Sequence, residues 1–151
     1  MQQTSVYKTL TTIFYGFLSA MVMFGFIFYF LVASGNTNAD SSLTSTMLLV
    51  AIILAVGGVF GGNVLYKKRV EEALTKTSAT EKLEVYKGAV ILRLAMIEGP
   101  YLFALISYFL TGNVQFVYLG ALLLIVYLLQ KPSRDKIAVD LQLNEDEKQL
   151  L

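Results

Sequence analysis

An all-α integral membrane fold with four membrane-spanning helices is the class this chain predicts, on three observations. Its 151 residues are 56% hydrophobic and 15% charged, both on the apolar side of soluble proteins. The apolar residues are gathered into four long runs rather than spread with a helical or strand period, and such runs are the mark of bilayer spans. The basic residues fall in alternate connections, which gives the chain a sidedness.

The first span is placed at residues 10–33. Its apolar run is longer than the roughly 7–15 residues of a cleavable signal, so it is expected to be retained. Residues 34–46 are small and polar, with Asp40 the one charge. The second span covers 47–66. The next connection carries Lys67, Lys68, Arg69, Lys76, Lys82 and Lys87 among acidic residues. It is read as a helical hairpin beyond the membrane. Residues 67–74 continue the second helix, and Ser78 with Glu81 three residues on forms a capping-box pattern that starts the third. Glu72 and Lys76, four apart, suit a solvated helix face.

The third span covers 88–110 and Thr111 to Asn113 make a tight turn. The fourth span, 114–130, is close to the shortest length that crosses a bilayer core of about 30 Å. Lys131-Pro132 ends it. Residues 1–132 thus form the transmembrane domain and 133–151 a tail. In that tail Ile137, Val139, Leu141 and Leu143 alternate with other residues, a strand-like period. Asn144 and Glu147 would cap a last short helix. Such a tail needs a covering surface: the hairpin, the membrane face or another protein.

The positive-inside rule puts both termini in the cytoplasm of a multi-pass inner (plasma) membrane protein. Tyrosines agree with that placement: Tyr7, Tyr66, Tyr86 and Tyr127 at the inner boundary, and Tyr29, Tyr108 and Tyr118 toward the outer. Tyr15 and Tyr101 lie deeper, where a hydroxyl needs a partner.

Cysteine and histidine are absent. That removes disulfides, thiol nucleophiles, imidazole bases and most metal and haem ligand sets, so no metal or cofactor is expected. The net charge of +1 gives no reason to expect nucleic acid as a partner. An enzyme would need at least two converging reactive groups, and only one deep ionisable residue is in evidence, so no enzyme is expected.

That residue is Glu98, in the middle of the third span. A charge there costs about 3 kcal/mol on insertion scales, and acids so placed usually face a protein interior or mark an ion path. Gly99 and Pro100 follow it. Pro100 leaves the Met96 carbonyl without its helical donor, and Gly99 eases a bend. Arg93, the nearest cation, is about 140° around the helix from Glu98 and is read first as snorkelling inward and second as pairing across to another helix. Tyr101 shares the acid's face. Tyr15 and Ser19, four apart on the first span, are the other polar side chains able to support it. On the second span Gly57, Gly58, Gly61 and Gly62 form two overlapping G-xxx-G spacings, which let helices approach closely. They are read first as packing residues and second as a groove against Glu98.

A weak internal repeat lays residues 7–31 on 86–110 without a gap. Tyr7/Tyr86, Lys8/Lys87, Phe24/Phe103 and Tyr29/Tyr108 coincide, and a Gly-Asn pair follows each copy, Gly35-Asn36 and Gly112-Asn113. This is the pattern of a parallel duplicated hairpin. Ser19 then occupies the place of Glu98.

The glycine-rich second helix, the polar loop and the acid helix with Ala95, Glu98 and Leu102-Phe103-Ala104-Leu105-Ile106 together resemble the proteolipid (c) subunit hairpin of rotary ATP synthases. The resemblance covers the second and third helices. It implies that Glu98 binds a transported proton or sodium ion. The chain departs from that family in its first and fourth helices, its long charged loop, Pro100 beside the acid, and paired rather than alternating glycines. Two functions are therefore expected of a small polytopic protein held in the lipid bilayer as a homo-oligomer or within a membrane complex. One is proton or cation binding at Glu98. The other is a non-catalytic accessory or interaction role, with a cytoplasmic partner recruited through the tail.

Overall fold

The computed structural model describes residues 5–35 and 40–151. Residues 1–4 and 36–39 lie outside it, and with them the Asn36 half of the first Gly-Asn pair. Five α-helices follow one another: α1 (Val6–Ala33), α2 (Thr44–Leu74), α3 (Ala79–Thr111), α4 (Gln115–Leu128) and α5 (Arg134–Asp140). Single 3-10 turns at Ser41–Leu43 and Glu147–Leu150 complete the described residues, which contain no strand.

Helix ends follow local chemistry. The Ser5 hydroxyl caps α1 by accepting from the Lys8 N–H at 3.2 Å. Ser78 is the N-cap of α3, as its capping-box position predicts, but its side chain makes no cap hydrogen bond. α3 ends on Gly112, whose φ of +67° is the left-handed conformation a glycine cap supplies without strain. The hairpin expectation holds: α2 runs on to Leu74, and only Thr75 to Ser78 separate it from α3. At about 1.5 Å per residue α2 and α3 are about 46 and 50 Å long, so both overrun a 30 Å apolar core together at one end. That end carries the basic residues. On it Glu72 pairs with Arg69 at 2.9 Å rather than with Lys76.

Three helices, α1, α2 and α3, are long and apolar enough to cross a membrane. α4 differs from expectation. It has 14 residues, about 21 Å, instead of the 17 placed at 114–130. Val114 is spent on the turn, and the N–H groups of Gln130 and Lys131 bond three residues back ahead of Pro132, tightening the chain out of the helix.

α3 is the central helix, and α1, α2 and α4 all pack on it. α1 and α2 pack mainly on α3, not on each other, so the first two helices do not form the compact hairpin a duplication would give. The reason lies in α2. Its glycine face fits α3 so closely that a Cβ on Gly58 would stand 2.2 Å from the Met96 carbonyl oxygen.

The tail departs most from its sequence pattern. Residues 134–140 form helix α5, not a strand, because Ser133 caps it through the Lys136 N–H and no neighbouring strand edge is on offer. Ile137, Leu141, Leu143 and Leu151 are buried, and they join one core with Leu10, Ala73 and Leu83 at the basic end. Of the covering surfaces considered, the hairpin shares this core with the tail, together with the adjoining end of α1. The Asn144–Glu147 expectation holds as a reciprocal box, with each side chain accepting from the other residue's N–H at 2.8 and 2.9 Å.

Candidate functional site

Glu98 sits half-buried on the flank of α3 that faces α4, close enough to Tyr127 to interact with it electrostatically. Among the described residues no hydrogen bond or ion pair reaches its carboxyl. The side chains expected to support it are committed elsewhere. The Tyr101 hydroxyl donates to the Met21 carbonyl of α1 at 2.7 Å. Ser19, exposed on α1, bonds back to the Gly16 carbonyl of its own helix at 2.9 Å. Tyr15 is 47% exposed, with the Lys131 ammonium 5.7 Å above its ring.

Tyr127, expected as a boundary anchor, is instead fully buried. Its hydroxyl donates to the Phe14 carbonyl at 3.0 Å and its ring stacks on Phe14. Tyr101 and Tyr127 thus act alike: each reaches from α3 or α4 to a backbone carbonyl of α1 and ties that helix to the bundle. Two glycines make room for Tyr101. A Cβ on Gly25 would lie 2.7 Å from its hydroxyl and one on Gly120 would lie 3.6 Å from its ring. Neither glycine stands in a motif that sequence reading would single out. Beyond Tyr101, toward the Gly112 end of α3, an apolar pocket of about 260 Å³ opens between α1, α3 and α4, lined in part by Tyr29, Tyr108 and Leu124.

The glycine face of α2 packs against Arg93, Met96 and Pro100 and not against Glu98. α3 runs unbroken through Pro100, and the Met96 carbonyl that proline deprives of its donor is turned onto Gly58. Gly58 and Gly62 form the contact, Gly61 touches only the Met96 methyl, and Gly57 faces open space. Gly99 is likewise exposed, on the outer face of α3.

A second polar cluster lies at the basic end, where α5 crosses the α2–α3 hairpin. The Tyr66 and Tyr86 hydroxyls are 2.9 Å apart, and both reach the Asp140 carboxylate, Tyr86 at 3.2 Å. The carboxylate accepts from both, which fastens α5 to α2 and α3. The Arg93 guanidinium lies 4.6 Å over the Tyr66 ring and the Lys136 ammonium 5.8 Å from the same ring. Arg93 therefore reaches across to Tyr66 of α2 at the basic end. This cluster escaped sequence reading, although Tyr66 and Tyr86 stand almost equally far from the turn at 75–78, so a hairpin must bring them level. Asp140 had no such signal, because its partners are 54 and 74 residues away.

No family model, curated protein or solved structure matches this chain.

Proposed function

We propose that this protein is a non-enzymatic subunit of a membrane assembly, anchored by its long apolar helices, with the basic end in the cytoplasm. Glu98 is the contact that a neighbouring transmembrane helix satisfies. The observation that carries this reading is the combination of a half-exposed carboxyl in mid-span with the Tyr101 hydroxyl already bonded to α1 and the Ser19 hydroxyl to its own helix. A polar group at that depth is stabilised by a protein partner rather than by lipid. The open glycine at Gly57 and the exposed Gly99 leave the flanks of α2 and α3 approachable by another helix.

A second reading keeps the proton or cation at Glu98, with the site completed between subunits. The mid-span acid on a helix packed against a glycine face favours it, as does the partial resemblance to the proteolipid hairpin. The two readings separate in one pair of measurements. A photo-crosslinking residue at Ala95, exposed beside the acid, should capture a second membrane-embedded chain, and Glu98→Leu should abolish the capture. Absence of any adduct in native membranes would sink the interface. In liposomes, pH-gradient-driven flux that disappears in a folded Glu98→Gln protein would establish the ion reading instead.

A further inference from the structure

We propose that the pocket between α2, α3 and α5 at the basic end binds a phosphate group, held between Arg93 and Lys136. The pocket is about 300 Å³, and Asn63, Lys67, Glu71 and Asp140 complete its polar wall. Its charges are unevenly matched. The Asp140 carboxylate is engaged by the Tyr66 and Tyr86 hydroxyls. Glu71 is exposed at the rim, one helical turn from Lys67, which also lines the pocket. Among the described residues neither Arg93 nor Lys136 forms an ion pair, and both lie over the same Tyr66 ring. The Arg93 Nε is buried with no hydrogen-bond partner among the described residues. Burial first, and then the neighbouring Arg93 charge, hold the Lys136 ammonium below its ordinary pKa against the opposing attraction of Asp140. Asp140 attracts both half-buried cations, but with Lys67 the pocket holds three cations against two carboxylates, and an anion placed between Arg93 and Lys136 offsets the excess.

Phosphate suits the donors present. The guanidinium offers a planar fork, Lys136 a point charge and Asn63 an amide. The depth is that of lipid headgroups, because α2 changes from apolar to basic between Tyr66 and Lys67. Basic pockets between transmembrane helices at the cytoplasmic face are suited to anionic headgroups. A lipid source rests on the membrane orientation proposed above; a free phosphate source does not.

The test uses the full chain, delipidated in neutral detergent and titrated by native mass spectrometry with phosphatidylglycerol, phosphatidylcholine and inorganic phosphate. Arg93→Gln and Lys136→Gln should each weaken phosphatidylglycerol binding about fivefold. Lys136→Arg should restore it, and Lys76→Gln, at the hairpin turn outside the pocket, should leave it unchanged. Phosphatidylcholine should bind more weakly and ignore all four changes. Saturable binding of inorganic phosphate with the same dependence on Arg93 and Lys136 would support the site and assign it to a soluble phosphate. Lys136→Gln, on the peripheral α5, serves as the second variant should Arg93→Gln fail to fold. Equal binding of both anionic probes to wild type and Lys136→Gln would overturn the proposal. An equal loss in Lys76→Gln would also overturn it, because the effect would then be general charge.

Discussion

Gly58 has the least room of the described glycines. A methyl group there would meet the Met96 carbonyl at 2.2 Å and the Pro100 ring at 2.8 Å. Backbone cannot yield as a flexible side chain does, so Gly58→Ala should destabilise the α2–α3 pair by about 1–3 kcal/mol. Gly57→Ala, one residue away on an open face, should change little and serves as the matched control. Unfolding of both variants in mixed micelles by denaturant titration checks the pair; equal effects would mean that the close approach has no energetic consequence. Tyr101→Phe is the corresponding test of the tie to α1. It removes one interhelical hydrogen bond and leaves the ring in place, so a loss of about 0.5–1 kcal/mol is expected in the same titration. The position of Tyr101 within a long apolar run is enough to say that its hydroxyl needs a partner. The partner itself, a carbonyl on a helix 80 residues away, has no local signal.

α5 shows why a short amphipathic segment is poorly specified by its own pattern. Alternation of apolar residues from Ile137 to Leu143 fits a strand, yet Ile137 and Leu141 also stand four apart and share one helix face. The surface available decides between them, and the end of the α2–α3 hairpin offers side chains to cover rather than a strand edge to pair with. Asp140 then fastens the helix from its last residue. Asp140→Ala should leave the long helices intact and loosen α5. Hydrogen exchange at the Ile137 and Leu141 amides should quicken markedly while exchange in α3 stays unchanged. Unaltered protection would show that apolar burial alone holds the tail.

The sidedness of the whole molecule is open to direct measurement because the chain has no cysteine. Thr77→Cys, at the hairpin turn, should label with an impermeant maleimide only from the cytoplasmic side. Asn113→Cys, at the opposite end of α3, should label only from the other side. Removal of residues 133–151 should leave the protein inserted with the same labelling pattern. It should also lower thermal stability and promote association, because Ile137, Leu141 and Leu143 leave the apolar core they share with Leu10 and Leu83. A truncated chain as stable and as monodisperse as the intact one would contradict that role for the tail.

Helix class, the three long apolar helices, the helical hairpin of α2 and α3, the start of α3 at Ser78 and the Asn144–Glu147 box were legible in the chain, because each depends on residues a few positions apart. Apolar run length, caps and turn residues act over one or two helical turns, and no distant contact competes with them. Which helix is central, which glycines touch, where each buried hydroxyl finds its acceptor and which surface the tail covers were set by packing. Those choices join residues 20 to 113 positions apart, and they turn on shape and on the backbone groups left exposed once the helices have formed. Glu98 belongs to both accounts: its depth in the third span follows from the run around it, and its half-exposed place on the flank toward α4 follows from α3 taking the centre.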